Sequence, residues 1–305
     1  NNLVYVLDSR NLRTLKFDTE GEYLAQWQSI DSVTDFGGVG IAVDQQGDVY
    51  VRNTTDNEIR KFTGDGVRIP LPTLYCTGGG SFGIAIDSNG YIYCADFHGN
   101  RVEKISPDGI QNWIWSSTGT ENGYFDEAVD VALDSNGNVS VADQNNARIQ
   151  KFDSLGNFIS AWQGPGGPIA IDTSDNVYVM CGSFVSKYDA NGGFITEWGS
   201  EGTGDGQFSE TAIGIAVDDD GYVYVVDAGN YRIQKFTSEG KFVTKWGSEG
   251  TGNGQFILPW AVDVDSNGNV YVTDSDQSNV QKFTTDGEFV AKWEEQGIAA
   301  PRGIA

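Results

Sequence analysis

A Lys-Phe pair, or a close equivalent, returns at Phe17, Phe62, Ile105, Phe152, Tyr188, Phe236 and Phe283, at intervals of 36 to 48 residues. A recurrence of that length is the signature of a repeat architecture and limits the fold more than any composition figure does. Each unit holds four short stretches, such as GIAVD, VYVVD, RIQKF and KFVTKW, separated by Gly, Asn and Asp. Their alternation and their β-branched and aromatic residues predict strands, and no long 3.6-residue apolar period competes.

Between the first two strands of a unit stand DSNG at Asp87, Asp134 and Asp265, DDDG at Asp218, DQQG at Asp44 and DTSD at Asp172. An aspartate that bonds its own backbone, followed by residues able to take positive φ, writes a tight hairpin. Four-stranded antiparallel units of about 40–45 residues that cover their faces only against neighbours predict an all-β, seven-bladed propeller occupying residues 1–305 as one domain.

The repeats are out of phase with the chain. Residues 1–27 supply the second, third and fourth strands of a unit, and PRGIA at 301–305 supplies its first. The expectation is a ring closed by the C-terminal strand pairing with the N-terminal blade. Joining Ala305 to Asn1 would put Gly303 seven residues before Tyr5, where the equivalent positions in the other units are ten apart, as Gly214 and Tyr224 are. Either the split blade needs no hairpin there, or the chain is an excerpt of a longer one.

Asp plus Glu number 43 against 19 Lys plus Arg, a net charge of −24. Such a field repels phosphate backbones, so nucleic acid is not an expected partner. No run of about 18 apolar residues exists, which argues against direct membrane insertion. No charged-then-apolar leader opens the chain, so an export signal or anchor would lie outside it. Cys76, Cys94 and Cys181 form no CxxC pair and no disulfide framework, and are expected as buried thiols.

The segments WGSEGTGDGQF (198–208), WGSEGTGNGQFILP (246–259), GIAVD, VYVVD and NYRIQKF resemble the NHL repeat, and the likeness runs over essentially the whole chain. The resemblance implies a propeller, commonly of six blades in the family, where seven units are counted here. It implies functions ranging from protein-binding scaffold and extracellular sensor to RNA-binding domain and peptide-maturing lyase, and similar folds include lactonases and an antibiotic-opening lyase. Fold alone does not choose among these.

The RNA-binding members resemble one another in a basic face that this chain lacks. Those lyases rely on histidine, and His98 is the single histidine here, insufficient for a multi-histidine metal site. No GxSxG elbow occurs. Asp263, Asp265, Asn267 and Gly268, with Asp274 in twelfth place, fit an EF-hand pattern, but a strand followed by a hairpin forces the same spacing. Asn53-Thr-Thr and Asn138-Val-Ser are glycosylation sequons. Trp113, Trp162, Trp198, Trp246 and Trp293 sit on outer strands and read as packing between blades.

Departures from the repeat carry the remaining information. Asp130 stands where the inner strand of blade four should have glycine, and Asp263 where that of blade seven should have alanine. Buried carboxylates are costly unless paired or bound to a cation, so these two are expected at the central channel, holding either water or an ion such as Ca2+ or another divalent cation. Asp8, Asp96, Asp143, Asp227 and Asp274 end second strands and read as turn caps. One end of the ring collects the blade-to-blade connections and most of the variety: Arg52 and Asn53 in blade two, IPLPTLYCTGGGSF (69–82) after it, and Cys181 and GPGGP (164–168) at blade five.

Val39, Phe82, Val129, Gly167, Ile213, Trp260 and Arg302 form the expected rim of that end. Aromatic and arginine side chains at a concave opening suit protein, peptide or glycan contact; alternatively Phe82 and Trp260 plug the channel. Arg52, Phe82, Trp260 and Arg302 are the binding-face candidates. The expected function is a non-enzymatic interaction module at the cell surface or outside the cell, with self-association open to a flat disc. The alternative is a metal-dependent hydrolase or lyase with Asp130 and Asp263 as ligands and Arg302 or Arg52 orienting an anion.

Overall fold

In the computed structural model, which describes residues 3–29, 39–53, 58–71, 83–110, 112–115, 118–294 and 297–305, the chain forms seven four-stranded sheets. Every strand pairing within a sheet is antiparallel. Blade four shows the pattern: inner strand Ala128–Leu133, second strand Val139–Asp143, third strand Arg148–Phe152 and outer strand Phe158–Gln163. Blade five begins at Ile169–Ile171, blade six at Ala212–Val217 and blade seven at Pro259–Val264. A short 3-10 turn forms at Ala228–Asn230.

Second strands are buried along their whole length, as in Val223–Asp227, whereas the outer strand Tyr23–Gln28 alternates between half-buried and exposed. That gradient follows from position, since a second strand is covered on both faces by neighbouring blades and an outer strand borders solvent. At the axis the inner strands crowd. A Cβ on Gly83 would lie 2.6 Å from the backbone nitrogen of Val131 in the next blade, so this position in blade three admits only glycine.

Blades are stapled by aromatic rings. The outer-strand tryptophan of one blade meets the third-strand aromatic of the next: Trp198 and Phe236 at 5.9 Å, Trp246 and Phe283 at 5.7 Å, Trp115 and Phe152 at 5.7 Å. A glycine in the following hairpin covers each indole. Gly240 has φ +78°, and a Cβ there would sit 2.4 Å from Trp198 Cε3, so the turn conformation and the close approach both demand glycine. In blade three the stapling residue is Trp115, not Trp113 as the sequence suggested; Trp113 is exposed and leans on Tyr91.

The ring closes as expected. Pro301–Ile304 pairs with Leu3–Asp8 in the register Val6 to Ile304 and Leu7 to Gly303. Tyr5 and Ala305 exchange two backbone hydrogen bonds of 2.9 and 3.1 Å. No described helix is long and apolar enough to cross a membrane.

Candidate functional site

The end of the ring that carries the blade-to-blade connections is organised by buried aspartates. In blade six, Asp227 is fully buried and accepts from Ser209 N (2.8 Å), both its oxygens from Asn230 Nδ2, and from Arg232 Nε (2.7 Å) and Gln234 Nε2 (3.0 Å). The rest of the Arg232 guanidinium donates to the carbonyls of Thr203, Gly204 and Gln207. One carboxylate thereby pins a long glycine-rich connection, whose main-chain groups would otherwise lack partners. Asp143 does the same in blade four, and Asp8 ties Asn11, Arg13 and Ala299 N in the split blade. The expected structural service of these aspartates is what the structure shows. It comes with strain: Ala147, Tyr231 and Ser278, just before third strands, take φ of +48°, +57° and +58°.

Blade five breaks this scheme. Cys181 replaces the aspartate and Ser186 the glutamine, so no hub can hold a long connection there. The chain enters instead through Gly164–Pro168, pressed so closely that a Cβ on Gly166 would lie 2.2 Å from Gln144 Cα and one on Gly167 1.8 Å from the Met180 carbonyl oxygen. A recess results. It merges with the channel mouth into a cavity of about 400 Å³. Val129, Gly167, Ile213, Trp260 and Arg302, all expected rim residues, line it with Asp130, Gln144, Met180, Cys181 and Gly182. Arg302 stacks on the Trp260 ring, 4.6 Å from its centroid, and burial lowers its pKa, partly offset by Asp276. Phe82 and the side chain of Val39 lie outside the described residues.

Arg52, the remaining binding-face candidate, does not line this cavity. It is fully buried, and burial lowers its pKa to about 10 against the opposing fields of Asp96, Glu103 and Asp130. The reason lies in blade three, where Glu103 occupies the place of Gln150 and Gln234 and is fully buried beside Arg101, at 2.6 Å. A second buried acid in that blade requires a second cation, and Arg52 projects from blade two to supply it. Asp130 is the cluster member that reaches the cavity. Its two oxygens accept from Val131 N (2.8 Å) and from Ile169 N (2.9 Å) of blade five, and burial raises its pKa to about 6 against the pull of those bonds and of Arg52.

Asp263 is also pushed up to about 6 by burial, but it lines a different cavity, of about 230 Å³, at the opposite end of the ring with Thr19, Asp265 and Tyr271. Asp130 and Asp263 therefore do not meet. Among the described residues no three His, Cys, Asp or Glu side chains are grouped to hold a metal. The EF-hand spacing has no loop behind it: Asp265 accepts from Asn267 N, Asn269 N and Tyr271 hydroxyl as a hairpin cap, while Asp274 binds Ile257 N and Leu258 N at the other end of its strand.

His98 packs edge-on to Phe97, ring centroids 5.1 Å apart, and is no part of the cavity wall. Asn138, in the second sequon, donates its amide to Asp134 Oδ2 at 2.8 Å and precedes a fully buried Ser140, so that sequon is committed to the fold. The expectation of buried thiols needs correcting: Cys94 is disulfide-bonded, while Cys181 is free.

The architecture defines a closed seven-bladed β-propeller with one chemically distinct mouth. The NHL repeat matches residues 125–152, 211–236 and 256–283, so the chain is a seven-bladed β-propeller that carries NHL repeats in blades four, six and seven. No curated protein matches it in sequence. Among solved structures it is similar to a functionally unknown protein from Desulfotomaculum acetoxidans (TM-score 0.73, 16% identity, 100% of this chain and 98% of that one). It is also similar to virginiamycin B lyase from Staphylococcus aureus (TM-score 0.70, 18% identity, 88% of each chain). A protein from Lactobacillus plantarum superposes comparably (TM-score 0.68, 15% identity, 99% and 98%). At these identities the likeness is one of fold.

Proposed function

We propose that this propeller is a non-enzymatic binding module that works outside the cell or at its surface and takes part of a protein, peptide or glycan partner into its mouth. The observation that carries the reading is the cavity of about 400 Å³ at the end of the ring where the repeats diverge. A mostly apolar concavity with a few convergent polar groups is the usual form of a binding site. The disulfide at Cys94 supports an oxidising compartment, because such bonds rarely persist in the cytosol.

The enzymatic alternative draws on the fold shared with virginiamycin B lyase. A catalytically inactive form of that enzyme, solved with quinupristin, has a histidine replaced by alanine. Here the single histidine packs away from the cavity, and the two channel carboxylates stand apart. Neither observation favours chemistry at the mouth.

Glycan and peptide arrays probed with the intact chain test the reading, with Trp260→Ala as the control. Binders that Trp260→Ala loses support it. Turnover of quinupristin or of a lactone by the purified chain with added divalent metal would sink it.

A further inference from the structure

We infer that the mouth cavity accepts an ammonium group carried on an apolar stem, with Asp130 as its counter-ion. The inference rests on the binding-module reading and names the chemistry of the group that the module takes in.

Charge is the first argument. The buried cluster spanning blades two to four sets two guanidiniums, Arg52 and Arg101, against three carboxylates, Asp96, Glu103 and Asp130. The segments outside the described residues contain no Lys, Arg or His, so they add no cation to it. Among the described residues the cluster is one positive charge short, and Asp130 is the member that reaches the cavity wall.

Geometry is the second. Each Asp130 oxygen accepts one backbone N–H, and a carboxylate oxygen can accept two hydrogen bonds. Both oxygens thus keep acceptor capacity toward a donor in the cavity. The surrounding wall suits a stem: Val129, Ile169, Met180 and Ile213 are apolar, and Gly182 leaves open space. Arg302, the other charged wall residue, belongs to blade one, across the ring from blade four, and lies over Trp260. A cation is therefore directed to the Asp130 side.

The third argument is long-range. A net charge of −24 concentrates cations around the molecule, and an ammonium entering the cavity would relieve the cost of holding Asp130 ionised in a desolvated place. The same chemistry is offered by a lysine side chain or amino terminus of a partner protein and by a free small amine.

The test compares benzylamine with its neutral isostere benzyl alcohol on the intact chain at pH 8, reading how far each slows alkylation of Cys181, a free thiol in the same wall. Benzylamine is expected to protect at a concentration at least about tenfold lower. Asp130→Asn should abolish that gap. Gly182→Asn should weaken both ligands alike, because φ +54° suits asparagine and the new side chain enters open space. Since Asp130 also ties blade four to blade five, the wild-type protein supplies an independent reading: benzylamine should move the Asp130 carboxyl titration, followed by carbon NMR, to lower pH.

Equal protection by amine and alcohol, a gap that survives in Asp130→Asn, or an unmoved titration overturns the inference. A lysine-ended peptide and its acetylated form distinguish the sources, the first competing with benzylamine if the ammonium comes from a protein. A partner that binds the mouth without competing with benzylamine overturns this inference and leaves the module reading standing. Amine binding with no macromolecular partner does the reverse.

Discussion

Trp293 stacks on Phe17 with ring centroids 5.0 Å apart and planes 25° from parallel, so the staple used between consecutive blades also joins blade seven to blade one across the two chain ends. Gly21 covers that indole, where a Cβ would sit 2.0 Å from Trp293 Nε1. Closure therefore has two components, a strand pairing and a side-chain clasp.

Trp293→Ala should cost about 3–5 kcal/mol of stability, as core Trp-to-Ala changes do, measured by urea denaturation. Trp113→Ala, at an exposed ring on an outer strand, should cost less than about 1 kcal/mol. A comparable loss at both positions would contradict the assignment of Trp115 and Trp293, rather than Trp113, to the staple.

Two turn glycines separate conformation from packing. Gly137 and Gly240 share φ near +76° and +78°, but a Cβ on Gly137 meets nothing within 4 Å while one on Gly240 meets Trp198. Gly137→Ala should cost about 1–2 kcal/mol, the left-handed penalty. Gly240→Ala should add about 1–3 kcal/mol of overpacking. Equal losses in thermal unfolding would show that the glycine above the indole is not a packing requirement.

Removing the hub of blade six leaves Arg232 buried without its counter-ion. Asp227→Ala should destabilise by about 3–5 kcal/mol, the usual penalty for breaking a buried pair. Faster amide exchange should appear in residues 199–208, the connection that the hub pins. Unchanged exchange there would contradict the role given to the aspartates.

The two channel carboxylates predict a pH dependence of definite sign. Asp130 and Asp263 titrate at about 6 in the folded protein, above an unfolded value of about 3.9. Between those values the folded state holds more protons than the unfolded one, so their contribution is favourable below about pH 4 and is lost as pH rises through 6. Asp263→Asn should therefore gain stability over wild type at pH 7, by up to about 3 kcal/mol for a shift of that size, and show little difference at pH 4. A gain that is the same at both pH values would refute the assignment.

Blades, closing strand and rim were readable because a repeat makes its own reference. Any residue can be compared with six equivalents, and Val129, Ile213, Trp260 and Arg302 fall on the cavity wall as that comparison predicts. Features that depend on two departures at once were not readable. Arg52 looks like a surface variant until Glu103, in the next blade, is seen to take the place of a glutamine. The two tryptophans of NWIW point to the same face of their strand, so only the register of Asn112–Trp115 against Arg101–Ile105 decides which one staples. The disulfide at Cys94 could not be foreseen, because three cysteines at unrelated positions carry no pairing information.

The closing strand supplies Arg302, Gly303 and Ile304 to the cavity wall, so the proposed binding mouth exists only if the ring is shut. Amide hydrogen exchange at Tyr5 and Ala305 tests this most directly. Their reciprocal bonds predict protection approaching that of the buried second strand Val223–Asp227; exchange at the rate of an unstructured peptide would show an open ring and remove the mouth with it.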